Sequence, residues 1–178
     1  MGTDSVAQGE SGPGIAGVIA RPILLFPAAL LLGFALDHLQ RLPFPISRIS
    51  MAHWISAIIA GCLVLIGIAV FAAGVRSFSR AATPLPTNQP ARALVTTGIY
   101  RWTRNPIYLA FFLVYGGIGI VVRNPWILIL TLPLAITIRY GVVAREEAYL
   151  ERRFGDAYRD YKARCAATIK MREQRQSG

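Results

Sequence analysis

Residues 54–75 run for 22 positions without a charged side chain. A helix of that length rises about 33 Å, enough to cross the hydrocarbon core of a bilayer. A soluble fold would have to bury such a segment on every side, and this chain has only 178 residues to do it with. The run has company. Apolar stretches occupy 14–36, interrupted by Arg21-Pro22, and then 107–122 and 124–138, divided by Arg123. Charged residues make up 16% of the sequence and apolar residues 54%, against about 25% and 45–50% in a soluble domain. The expectation is an all-α integral membrane protein with about four transmembrane helices.

The uncharged part of the first stretch, 22–36, has 15 residues, short of the roughly 20 that a span needs. Arg21 can lengthen it by snorkelling. Residues 37–53 hold two prolines and read as a loop. Arg123-Asn124-Pro125 marks a tight turn, so the third and fourth spans read as a helical hairpin. Residues 1–13 are small, polar and acidic, the composition of a disordered tail, and lack the basic start of a secretory signal. A membrane domain over 14–165 and a basic tail over 166–178 complete the division.

Charge placement gives the orientation. Segment 76–106 carries five arginines and no acid, and 139–178 carries ten basic residues. The segments assigned to the opposite side carry only Arg41, Arg48 and Arg123. The positive-inside rule places loop 76–106 and both termini in the cytoplasm. The net charge of +10 then needs no nucleic acid. The short loops favour a bacterial inner membrane. Cys62 and Cys165 fall at different depths, so no disulfide is expected. With no Cys-x-x-Cys and no His-Cys cluster, no metal site is expected either.

Two polar constellations interrupt this pattern. The first is "TGIYRWTRNPIYLA", 97–110. Part of it is structural: Asn105 is a suitable N-cap and Pro106 a suitable first helical residue. Arg101 and Arg104 suit an interface, as do Tyr100, Trp102 and Tyr108. The chain contains its own control, because Arg123-Asn124-Pro125-Trp126 repeats the Arg-Asn-Pro device without the rest. Gly98, Tyr100, Arg101, Arg104 and Tyr108 are the surplus to be explained. The second constellation is 145–164. Leu150, Phe154, Tyr158 and Tyr161 form an amphipathic helical stripe, which Gly155 ends or bends. Glu146 and Glu147 sit side by side just past the last apolar run. Adjacent carboxylates at a membrane edge are costly unless a cation or hydrogen-bond donor meets them. Neighbouring helical positions diverge by about 100°, so the sequence does not say which of the two faces a ligand.

Gly98-Ile99-Tyr100-Arg101-Trp102-Thr103-Arg104-Asn105-Pro106-Ile107-Tyr108 resembles the G-x-Y-R-x-x-R-[HN]-P-x-Y signature of the isoprenylcysteine carboxyl methyltransferases and the related phospholipid methyltransferases. Glu146-Glu147-x-x-Leu150, followed by Phe154-Gly155-x-x-Tyr158-x-x-Tyr161-x-x-Arg164, is similar to the tail motif of that superfamily. The resemblance covers about residues 55–165. It implies a membrane helical bundle that binds S-adenosylmethionine in a cytoplasmic pocket formed by 97–108 and 145–164. It implies cofactor contacts from Gly98, Tyr100, Arg101, Arg104, Asn105, Pro106, Tyr108, Glu146 and Glu147, with Glu146, Glu147 and Arg104 closest to the chemistry.

The residue types suit that role. Arg101 or Arg104 can pair with the cofactor carboxylate. Glu146 or Glu147 can face its ammonium or ribose hydroxyls, and a Tyr100 or Tyr108 ring its sulfonium. Methyl transfer needs alignment more than acid–base help, which only an amine acceptor would require. The implied acceptor is lipid-like or prenylated, with the bilayer as partner. Two positions depart from the pattern: Asn105 stands where many relatives have His, and "CAATIKMREQRQSG" replaces their basic-aromatic ending. A membrane reductase of the steroid-reductase type, using NADPH held by Arg145, Arg152 and Arg153, is the alternative, with a non-catalytic scaffold behind it.

Overall fold

The computed structural model describes residues 22–45, 51–80 and 94–165, and every regular element within them is helical. Helix α1 is Pro22–Leu39 and α2 is Met51–Arg80. A single 3-10 turn, Gly98–Arg101, precedes α3, Pro106–Val121. Helix α4, Pro125–Ile136, runs through a π-helical stretch, Thr137–Val143, into α5, Ala144–Phe154. After Gly155 a last helix, α6, covers residues 156–165. The expected tails, Arg21, Arg48 and the proline-rich 81–93 lie outside the described residues.

Among the described residues two helices are long and apolar enough to cross a membrane: Met51–Arg80 and the continuous Pro125–Phe154, each of 30 residues. Shorter apolar helices cover Ile23–Leu39 and Pro106–Val121. Only 17% of the apolar stretch of α2 is buried inside the molecule. Leu31 on α1 and Leu65 on α2 are exposed at 71% and 68%. Apolar surface on this scale is a membrane-facing surface rather than a soluble one.

Several boundaries differ from the sequence expectation. Helix α2 extends beyond 54–75 at both ends, and α1 continues to Leu39, so the loop expected over 37–53 is shorter. Polar residues such as Asp37 and His38 prolong a helix as readily as they end one. The helix also continues past the apolar run that ends at 138: no proline follows Arg139, and Gly141 stays within the helix without a left-handed backbone.

Helices α2 and α3 share a seam of small residues. A Cβ on Gly67 would meet the Ala110 carbonyl at 2.9 Å, and one on Gly117 would meet the Ala60 carbonyl at 2.9 Å. The two backbones therefore touch at two reciprocal points, a closeness that small side chains permit. Ile127 of α4 is fully buried, wedged against Gly33 of α1 and Gly119 of α3. Asn124 fixes the same corner: its Oδ1 accepts from Ile127 N at 3.2 Å and its Nδ2 donates to the Gly33 carbonyl at 3.1 Å. In the connection between α3 and α4, Arg123 adopts φ 57 and donates to His53 Nδ1 at 3.2 Å. Phe26, Tyr115, Leu134 and Ile138 fill the space between α1, α3 and α4.

Candidate functional site

The site begins with a glycine. Gly98 takes φ +64, and a Cβ there would lie 2.7 Å from Ser77 Oγ near the end of α2. Only a residue without a side chain both adopts that left-handed backbone freely and clears the hydroxyl. The 3-10 turn that follows swings Tyr100 inward, edge-on to Phe78 with ring centroids 5.3 Å apart. Helix α6 clasps this turn from outside. Tyr161 Oη donates to the Tyr100 carbonyl at 2.9 Å, and Cys165 Sγ lies 3.5 Å from the same oxygen. Tyr158, Tyr161 and Cys165 pack with Val95 and Tyr100 in one buried cluster. Burial, helped by the nearby Glu146 charge, holds the Tyr100 hydroxyl well above its ordinary value. Burial likewise pushes Tyr158 up to about 12. Both phenols are neutral near pH 7.

Glu146 and Glu147 diverge as adjacent helical positions must. Tyr108, in the first turn of α3, donates its hydroxyl to Glu146 Oε1 at 2.8 Å. Glu147 faces another way. Its Oε1 lies 3.1 Å from Arg104 Nη1, and its Oε2 lies 4.0 Å from Arg139 Nη1. Each carboxylate at this edge thus has its own partner on the 97–110 segment.

The Arg104–Glu147 pair is close in distance but out of line. Neither Arg104 Nη1 nor Glu147 Oε1 has an aligned hydrogen-bond partner, although both atoms are buried. The buried hydroxyl of Tyr149, one turn beyond Glu146, is in the same position. Enclosed polar groups normally find partners. Arg104 Nη1 and Glu147 Oε1 therefore face each other as a buried ion pair that is not aligned as a hydrogen bond.

The sequence-derived set is thus drawn together in part. Tyr108 meets Glu146, Arg104 meets Glu147, and Tyr100 lies near Glu146. Gly98 and the buried Pro106 shape the backbone that carries them. Arg101 has an exposed side chain, and Trp102 is 48% exposed. Asn105 corrects an expectation: its side chain makes no capping hydrogen bond, and its backbone is at φ −132, ψ 59. Its N–H instead turns towards Thr103 Oγ1 at 3.4 Å. Asn124, in the second Arg-Asn-Pro copy, does cap its helix. Arg139 and Tyr149 were not singled out from the sequence. Arg139 was visible there only as the charge that closes an apolar run, and Tyr149 only by its spacing of three from Glu146. Among the described residues no group of three or more His, Cys, Asp or Glu is placed to hold a metal ion, and both cysteines are free.

A family profile described as phospholipid methyltransferase matches residues 55–157. The match takes in most of α2, the Gly98 turn, Tyr108 and both glutamates, and it ends just before Tyr158. No curated protein sequence matches the chain. No solved structure matches it.

Proposed function

Since the chain belongs to the phospholipid methyltransferase family, a family of membrane methyltransferases that use S-adenosylmethionine, we propose that it transfers a methyl group to a lipid-like acceptor at the cytoplasmic membrane face. The observation that carries this reading is the buried pair at this edge, Arg104 Nη1 and Glu147 Oε1, which lie 3.1 Å apart without hydrogen-bond alignment. A guanidinium donor suits the methionine carboxylate, and a carboxylate oxygen suits its ammonium or the ribose hydroxyls. The residues present therefore fit the cofactor's polar ends.

In this reading Arg104 and Glu147 bind the donor. S-adenosylmethionine supplies an electrophilic methyl group on a sulfonium. Glu146 stands apart with Tyr108, which occupies its Oε1 and leaves Oε2 for a proton. For an amine acceptor, Glu146 takes the proton that the nitrogen gives up. A carboxylate acceptor needs no such step, and Glu146 then acts only through its charge. Tyr108 orients the carboxylate in both cases.

The proposed topology has four spans, formed by α1, α2, α3 and the 125–154 helix, with the last two as a hairpin. Contacts at the two ends of that pair support it: Gly119 against Ile127 near the connection, and Tyr108 against Glu146 at the far end. The excess of basic residues on the site's side supports a cytoplasmic orientation. Family membership favours methyl transfer over the reductase alternative. Incubation of the purified protein with methyl-labelled S-adenosylmethionine and a membrane lipid extract tests the proposal. Label is expected in the organic phase with the intact protein and at a strongly reduced level with Glu146→Gln or Glu147→Gln. No label with any lipid fraction, prenylated acceptors included, would argue against it.

A further inference from the structure

Arg139 is an arginine in an apolar helix, and its position is unusual. It lies on the π-helical stretch Thr137–Val143, a rare geometry that is frequently found at functional sites. Its neighbours Ile136 and Tyr140 are exposed at 52% and 71%, so this side of the helix looks out of the bundle. Its own side chain is 53% exposed and points back towards the glutamates, with Nη1 at 4.0 Å from Glu147 Oε2. That distance is the outer limit of an ion pair, whereas Arg104 holds the other oxygen of the same carboxylate at 3.1 Å. Two guanidiniums share one carboxylate, and the looser one is at the outer edge.

An arginine here faces the headgroup layer, where the abundant anion is a phosphate. Guanidinium is well suited to it, because its planar fork meets two phosphate oxygens at once. Tyr140, 5.9 Å from the Arg139 guanidinium carbon, is an interfacial residue type that suits the same depth. We propose that Arg139 is a specificity-determining residue that holds the phosphate of the acceptor lipid, beside the carboxylates and on their membrane side. The inference rests on the methyltransferase reading for the word acceptor, but the phosphate contact stands on the geometry of Arg139. It selects lipids that carry a phosphate over lipids with the same tails and none.

The test is direct binding of acyl-labelled fluorescent lipids to the full-length protein in detergent. Phosphatidylethanolamine, a diacylglycerol with the same tails and a fatty acid with one labelled tail are compared. Intact protein, Arg139→Gln, Arg139→Lys and the surface control Lys162→Gln are each titrated. Arg139→Gln is expected to weaken the phosphatidylethanolamine probe by roughly ten- to a hundredfold and to leave the diacylglycerol probe unchanged. Arg139→Lys is expected to fall between, keeping the charge and losing the fork. Lys162→Gln should match the intact protein. Unchanged phosphatidylethanolamine binding in either Arg139 variant overturns the inference, as does an equal loss for all three probes. Selective loss of the fatty acid probe would assign Arg139 to a carboxylate and overturn the phosphate assignment. S-adenosylmethionine binding, measured on the same samples, bears on the methyltransferase reading alone: its absence in intact protein removes that reading, while the lipid comparison still decides Arg139.

Discussion

Tyr108 and Glu146 are 38 residues apart in sequence and meet at 2.8 Å, the phenol donating to the carboxylate. The bond ties the first turn of α3 to the junction where the long 125–154 helix leaves its apolar part. It makes Glu146 a fixed group, because Tyr108 itself is buried. Tyr108→Phe and Glu146→Gln are each expected to lower methyl transfer. The loss should be about 1.5–3 kcal/mol in transition-state binding, the size of a hydrogen bond to a charged group. The double variant should fall little below Glu146→Gln alone, because the two act as a unit. Steady-state kinetics of the three variants decides it, and fully additive losses would dissolve the pair.

The two Arg-Asn-Pro copies should respond differently to the same change. Asn124→Ala removes both the cap on α4 and the bond to the Gly33 carbonyl at a site only 2% exposed. Its expected cost is about 2 kcal/mol or more of stability. Asn105→Ala removes no capping bond and is expected to cost less than about 0.5 kcal/mol, the range of ordinary surface changes. Thermal unfolding of the two variants in detergent compares them. Equal costs would contradict the assignment.

Adjacent glycines on α3 offer a similar contrast. A methyl at Gly117 would press on Val64 Cγ2 at 2.7 Å and the Ala60 carbonyl at 2.9 Å, whereas one at Gly116 meets nothing within 4 Å. Gly117→Ala should separate α2 from α3 and lower stability by about 1–3 kcal/mol. Gly116→Ala should be neutral or slightly stabilising, since alanine favours a helix. The ratio of melting shifts is the readout.

Gly98→Ala should damage the site through the backbone. The left-handed conformation costs a non-glycine residue about 1–2 kcal/mol, and the contact with Ser77 Oγ adds to it. Pairing it with Ser77→Gly should relieve the contact and leave the backbone cost. Full recovery in the pair would show that φ +64 is not required.

Much of this was legible because its physics is local. A long uncharged run makes an apolar helix wherever it lies, and the Gly98–Tyr108 and Glu146–Glu147 blocks stood out because they hold more polar groups than a helix start at a membrane edge needs. The divergence of the two glutamates followed from helical geometry, but their partners did not. The hydroxyl bond from Tyr108 to Glu146 was not visible in the sequence, since only the packing of α3 against the long helix decides it. Asn105 had the right residue type for a cap, yet the turn before it set a backbone that spoils the geometry. The π-helical stretch at Thr137–Val143 left no mark in the sequence. Cys165, read from the sequence only as lying at another depth than Cys62, is buried against the Tyr100 carbonyl, at the end of the helix that follows the bend at Gly155.

Equilibrium binding of S-adenosylmethionine to the detergent-purified protein tests the central claim most directly. Glu147→Gln and Arg104→Ala are measured beside the intact chain, with NADPH as competitor. The expected result is micromolar binding, weakened roughly tenfold or more by each substitution and indifferent to NADPH. No binding, binding that both variants retain in full, or displacement by NADPH would contradict the account.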